Sequence, residues 1–256
     1  MLNKVVSHIA SATPEYFSSP FDHWVMDNFF PEEMAIALSD EFPDYSSSKY
    51  HHYSNAIEEK KTLNNWNQLP TKLYQVSSFL NSPLFVTYLS KLTHTTIQSD
   101  PGLHGGGLHI HKCGGKLNPH LDYSLHPKLG LQRKLNLIIY LSQDIKPEYG
   151  GHLGLWEGNQ EGPTTLIKEV FPQFNRAVLF DTTQCSWHGI SKALQLPEGS
   201  YRKSLAIYYL CEPQKDAATN TRAKFAPVGA QKNDKAVLQL IKERQNEATV
   251  AKSYKT

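Results

Sequence analysis

The sequence predicts a mainly β chain with flanking helices, a jelly roll supported by N-terminal helices. Three observations carry this. Between Gly102 and Cys211 lie seven short runs of strand character, punctuated by Gly, Pro and Asn, the pattern of a sandwich or roll. Two of those runs have one bulky aliphatic face and one small or polar face. Helix signals fall before residue 100 and again after Cys211.

The N-terminal hundred residues read as helices separated by polar loops. Pro31 fits the first turn of a helix ending near Glu41, before Pro43. A second helix is expected over Thr71–Leu80. A third has Ser82 as N-cap and Pro83 at its first position, with Leu84, Phe85, Tyr88, Leu89 and Leu92 on one face. Between the first two helices, Tyr45–Gln68 is polar and aromatic-rich and too long for a simple connector. It is expected to be a flap or irregular packing.

The expected strands are Leu108–His111, Leu117–Tyr123, Lys134–Ser142, His152–Trp156, Ala177–Asp181, His188–Ala193 and Arg202–Leu210. Side chains alternate between the faces of a strand. One face of the third run is therefore Leu135, Leu137, Ile139 and Leu141, and the other Asn136, Ile138 and Tyr140. The last run sets Leu205, Ile207 and Tyr209 against Arg202, Ser204, Ala206 and Tyr208. The aliphatic faces suit packing under helices, and the polar faces suit a cavity inside the roll. Lys235–Glu247 is an amphipathic helix. Residues 1–100 are thus expected as helical support, 101–212 as the core and 213–256 as a tail, in one integrated domain.

Composition narrows the partners. The 256 residues carry a net charge of +2, and no basic run exceeds two residues, so neither a nucleic acid nor another polyanion is expected. Cys113, Cys185 and Cys211 are too few and scattered for a disulfide framework, which points to free thiols and a cytoplasmic location. The N-terminus lacks a signal-like apolar stretch, and Leu135–Leu141 is far too short to span a bilayer, so no membrane role is expected.

The chemistry concentrates at His120-Leu121-Asp122, with His188 66 positions beyond Asp122. Residues two apart on a strand project from one face. Two imidazoles and one carboxylate form the facial triad that suits non-haem iron(II) and leaves coordination positions open. Arg202 lies 14 residues after His188, on the small face of the next strand, placed to grip a carboxylate bidentately. Tyr140 could add a phenolic hydrogen bond to the same group. Lys203 faces the other way on a regular strand. His109-Ile110-His111 has the start of a cupin metal pattern but no glutamate follows it. Asp181 is either a partner for His188 or a strand-end carboxylate.

In order and spacing, HLD, RKLNLIIYLS, GGHLGLW, FNRAVLFDT, WHGI and YRKSLAIYYL resemble the Fe(II)/2-oxoglutarate-dependent oxygenases, and within them the prolyl-hydroxylase-like branch, over about residues 100–212. The resemblance implies a double-stranded β-helix core. It implies His120, Asp122 and His188 as catalytic iron ligands, Arg202 and Tyr140 as holders of the distal 2-oxoglutarate carboxylate, and Ser204, Asn136 and Ile138 beside that cosubstrate. Its cofactors would be iron(II), 2-oxoglutarate and dioxygen, with ascorbate an optional addition. Asp122 stands where related halogenases have a small residue, so hydroxylation of an unactivated C–H bond is implied. The expected substrate is a prolyl residue in a protein or peptide. The alternatives are a small molecule such as a free amino acid or sugar, and, in another class, a non-catalytic jelly-roll binding or sensing module.

Overall fold

A computed structural model of the protein describes residues 2–251; Met1 and residues 252–256, the end of the expected tail, lie outside the described residues. The chain opens with α1 (Leu2–Ser11), the hairpin β1 (Glu15–Phe17) and β2 (His23–Met26), and α2 (Glu32–Asp40). A second hairpin, β3 (His51–Ser54) and β4 (Glu58–Leu63), precedes α3 (Thr71–Leu80) and α4 (Pro83–Thr93). Then come β5 (Gln98–Ser99), β6 (Gly107–His111), β7 (Lys116–Leu117), β8 (His120–Leu121) and β9 (Gln132–Tyr140). The roll continues through β10 (Leu153–Gly158), β11 (Pro163–Val170), β12 (Ala177–Asp181), β13 (Trp187–Ile190) and β14 (Arg202–Cys211). The last two elements are β15 (Lys224–Phe225) and α5 (Lys235–Gln245).

Two antiparallel sheets form the roll. The larger has the order β1-β2-β12-β9-β14-β6-β4-β3, with β5 on β14 and β7 on β4; the smaller has the order β11-β10-β13-β8-β15. The expected mainly β fold with supporting helices is what forms. Leu135, Leu137, Ile139, Leu205, Ile207 and Tyr209 turn outward from the large sheet into one core with Leu73, Leu80 and Phe85 of α3 and α4. The Tyr209 hydroxyl donates to the Leu80 carbonyl at 2.9 Å, tying β14 to the end of α3. Their apolar burial drives the docking of helices on sheet. Between the sheets sits a smaller cluster of Phe21, Tyr140, Leu153, Leu155, Val170, Val178 and Phe180.

Four local readings change. The Tyr45–Gln68 stretch contains the hairpin β3–β4, and β4 pairs with β6, so it extends the large sheet. Strand Glu58–Leu63 reads EEKKTL; its charge hides it from apolar alternation. The Leu117–Tyr123 run is two short strands, because Pro119 has no N–H to give to a ladder. Leu84 is 55% exposed, so the buried stripe of α4 is narrower than expected. The strand Pro163–Val170 is an outer strand of the small sheet with mostly exposed side chains, which removes the apolar signal.

Candidate metal and cosubstrate site

Strands β8 and β13 pair with His120 directly opposite His188, and their ring centroids are 4.3 Å apart. Asp122 follows β8 immediately and turns to the same side. Its Oδ1 lies 3.7 Å from His120 Nε2 and its Oδ2 3.8 Å from His188 Nε2. The three ligand atoms fall within 4.8 Å of one another.

Hydrogen bonds fix both imidazoles. His120 Nδ1 meets the Asn118 carbonyl at 3.0 Å, and His188 Nδ1 meets the Ser186 carbonyl at 2.9 Å. A carbonyl only accepts, so each Nδ1 carries the proton and each Nε2 lone pair is left for a cation. Burial pushes the His120 pKa down to about 3, with His188 adding to the effect. Burial lowers that of His188 too. Both rings are therefore neutral near pH 7, the form that binds metal.

Asp122 is held from behind. Burial alone would raise its pKa, but the Arg133 guanidinium and the two histidines outweigh it and hold the carboxyl below its ordinary range. Arg133 Nη1 is 3.0 Å from Asp122 Oδ1, and Asn136 donates to Oδ2 at 3.2 Å. The Arg133 guanidinium carbon lies 3.4 Å from the ring centroids of both Tyr123 and Tyr208, and its Nη2 donates to the His104 carbonyl at 3.1 Å. Sequence reasoning gave Arg133 no role.

The triad opens into a cavity of about 370 Å³, lined also by Asn136, Ile138, Arg202 and Ser204. Arg202 is 5% exposed. Its Nε donates to the Gly151 carbonyl at 2.9 Å, and among the described residues it pairs with no carboxylate. Burial accordingly lowers its pKa. Tyr140 is fully buried with its ring centroid 4.9 Å from the Arg202 guanidinium carbon, and among the described residues no hydrogen-bond acceptor meets its hydroxyl. Gly151 lets the arginine lie close: a Cβ there would meet Arg202 Cδ at 3.2 Å. Lys203 points to the opposite face and donates to the Ser39 carbonyl at 3.1 Å.

The remaining candidates separate cleanly. His109 and His111 share one face and both line the cavity, while Ile110 joins the core. Asp181 binds Lys134 and Thr183; among the described residues it has no contact with His188. Lys60 and Arg244 also line the cavity, and neither had been singled out. Lys60 sits on the strand hidden by its own charge. Arg244 enters from α5, whose docking on Phe225 and Ile57 no local pattern reveals.

This donor set fits a divalent cation: two neutral imidazoles, one carboxylate, and open space on the remaining side. The buried, uncompensated Arg202 and the Tyr140 hydroxyl fit an anionic oxygen acceptor. A metal-binding jelly roll with an anion pocket is the class so defined. Residues 106–210 match the 2OG-Fe(II) oxygenase superfamily, and this segment belongs to that family; the cofactors are iron(II) and 2-oxoglutarate.

Solved structures share the fold. A Trichoplax adhaerens prolyl hydroxylase in complex with a hypoxia-inducible-factor peptide fragment is 15% identical, with 82% of this chain and 88% of that one covered at a TM-score of 0.52. A Phytophthora capsici prolyl 4-hydroxylase is 18% identical, with 90% and 75% covered at 0.50. No curated protein matches in sequence. Among the described residues no helix is long and apolar enough to cross a membrane.

Proposed function

We propose that the protein is an iron(II)- and 2-oxoglutarate-dependent dioxygenase that hydroxylates an unactivated C–H bond, with His120, Asp122 and His188 as the iron ligands. The convergence of both Nε2 atoms on Asp122 is the observation that carries this reading. Bound iron and 2-oxoglutarate would activate dioxygen, the oxidant: one of its oxygen atoms would enter succinate as carbon dioxide leaves the cosubstrate, and the other would enter the substrate C–H bond. The protein contributes binding, orientation and exclusion of water. The Asn118 and Ser186 carbonyls hold the imidazoles in one tautomer, and Arg133 with Asn136 orients the carboxylate. Arg202 and Tyr140 anchor the distal carboxylate of 2-oxoglutarate, with Ser204, Asn136 and Ile138 forming the walls beside it.

For the prime substrate, the fold likeness to prolyl hydroxylases supports a prolyl residue in a protein or peptide. A small molecule is the second reading, favoured by the strand pair β3–β4 and helix α5, which bring Lys60 and Arg244 to the cavity wall. The free thiols of Cys113, Cys185 and Cys211 suit a reducing, cytoplasmic setting. Incubation of the purified protein with iron(II) and 2-oxoglutarate tests the reaction class: succinate should accumulate slowly even without prime substrate. Succinate equal to a metal-free control, together with no metal binding, would leave a non-catalytic jelly roll.

A further inference from the structure

Lys60 lies on β4, with its side chain on the cavity wall. Thr62, two residues along the same face, is opposite His109 on β6, and His111 on that strand is opposite Arg202 on β14. Lys60 and Arg202 thus belong to one wall, with His111 between them. The Lys60 side chain is only 13% exposed, and among the described residues its ammonium makes no hydrogen bond. Its nearest carboxylate oxygen, Glu58 Oε2, is 3.4 Å away. Glu58 already receives Arg244 Nε on Oε1 at 2.9 Å, so one buried carboxylate faces two cations.

Charge balance extends the point. Five cationic side chains, Lys60, Arg133, Arg202, Arg222 and Arg244, line the cavity, and Asp122 and Glu58 pair with three of them, so positive charge is in excess. The charges of iron(II) and 2-oxoglutarate cancel, so loading the site leaves that excess in place. The two cosubstrate carboxylates are taken up by the metal and by Arg202. The Lys60 ammonium shares its one carboxylate with Arg244 at a long 3.4 Å and otherwise lies 5.2 Å from the Tyr53 ring centroid, so it keeps donors for a further acceptor. Beside it, His109 presents a buried ring nitrogen that has no hydrogen-bond partner among the described residues.

We propose that Lys60 receives an anionic group, a carboxylate or phosphate, of the prime substrate. A small acid such as a free amino acid meets this demand, and so does a peptide that carries a carboxylate beside the reacting residue. The inference rests on reading the site as that of a 2-oxoglutarate oxygenase, and its test separates the two.

The protein is loaded with manganese(II) in place of iron and saturated with 2-oxoglutarate. Trifluoroacetate and monofluorophosphate are then titrated while fluorine relaxation is followed by NMR. The paramagnetic ion relaxes only a probe held near it. Wild type should give saturable relaxation with at least one probe, and which probe responds distinguishes carboxylate from phosphate. Lys60→Met should weaken that binding about tenfold, the scale of one lost charge-assisted hydrogen bond, and Lys60→Arg should restore it. Glu58 keeps Arg244 in the methionine variant, so no buried carboxylate is stranded; circular dichroism checks the fold, and Lys60→Gln serves if methionine fails to fold. Absence of saturable relaxation with both probes, or equal relaxation in wild type and Lys60→Met, overturns the proposal. So does a loss of 2-oxoglutarate affinity in Lys60→Met, measured by tryptophan fluorescence, since Lys60 would then serve the cosubstrate. If wild type binds neither manganese(II) nor 2-oxoglutarate, the oxygenase reading itself falls and takes this one with it.

Discussion

Arg133 Nη1 lies 3.0 Å from Asp122 Oδ1, and two tyrosine rings hold the guanidinium that makes this contact. Asp122 cannot rotate without breaking a buried ion pair and its bond from Asn136. The carboxylate is therefore oriented before any cation arrives. Outer partners of metal ligands typically carry about 10- to 100-fold in affinity. Arg133→Gln is expected to lower metal affinity by that order and to cost roughly 3–5 kcal/mol of stability, the scale for removing one member of a buried pair. Metal titration and denaturant unfolding check the two effects separately, and wild-type metal affinity in this variant would remove Arg133 from the site.

His188→Ala is expected to abolish metal binding and succinate formation with the fold retained. His188 lies in β13, opposite His120, and its ring rests on the backbone and on Phe180, 4.6 Å away, so its loss leaves the β8–β13 ladder intact. Circular dichroism together with metal titration gives the readout. A variant that still bound the metal as tightly as wild type would remove His188 from the ligand set.

These positions differ in how far the sequence exposes them. His120 and Asp122 share a face because they are two apart, and the alternation that places Leu135, Leu137 and Ile139 in the core also sends Asn136, Ile138 and Tyr140 inward. The side on which Arg133 falls was not legible. A break in the β9–β14 register between Tyr209 and Leu210 brings Arg133 to the cavity, and strict alternation assigns it to the other face. Lys60 was hidden for a different reason: a strand of charged residues is indistinguishable from a solvated loop until its pairing with β6 is seen.

Arg202→Ala is expected to raise the 2-oxoglutarate requirement by at least about tenfold, the value of a lost charge-assisted pair, with a smaller effect on metal affinity. Lys203→Ala removes a bond to the Ser39 carbonyl and a contact with the Phe42 ring, both on the opposite face, and should leave that requirement near wild type. Succinate formation against 2-oxoglutarate concentration compares the two. The reverse ranking would transfer the anchoring role from Arg202 to Lys203.

Acid should destabilise the metal-free protein well above the carboxylate range. Burial, with Arg133 adding to it, brings the His104 pKa down to about 4. Burial, with Lys60 next, brings that of His109 to about 3. Unfolded histidines take up protons near pH 6.5, so between that pH and the lowered values the unfolded chain binds more protons than the folded one. Stability is then fully present above about pH 6.5 and falls as the pH drops through the window, by at most about 1.4 kcal/mol per pH unit for each such group. Thermal unfolding of the apo protein at pH 7.5, 6 and 5 (about 1.5 pH units into the window) should give a falling Tm. A flat profile would mean that these rings protonate as readily folded as unfolded.

Gly107 offers the sharpest test of how β4 is seated. Its φ is +90°, and a Cβ there would meet the Leu63 carbonyl oxygen at 2.3 Å and Asn64 Cα at 2.9 Å. Leu63 is the β4 residue paired with Leu108, so a side chain at Gly107 pushes directly on the strand that carries Lys60. Gly114 has a similar φ of +79° with nothing within 4 Å of a built Cβ. Gly114→Ala therefore bears only the left-handed backbone cost, about 1 kcal/mol. Gly107→Ala adds a backbone clash that no side-chain rotation relieves and should cost roughly 3 kcal/mol or more. Denaturant unfolding of the two variants measures the difference. Equal losses would show that β4 can move away from β6 freely, and a wall that yields so easily could not hold Lys60 in register with His111 and Arg202.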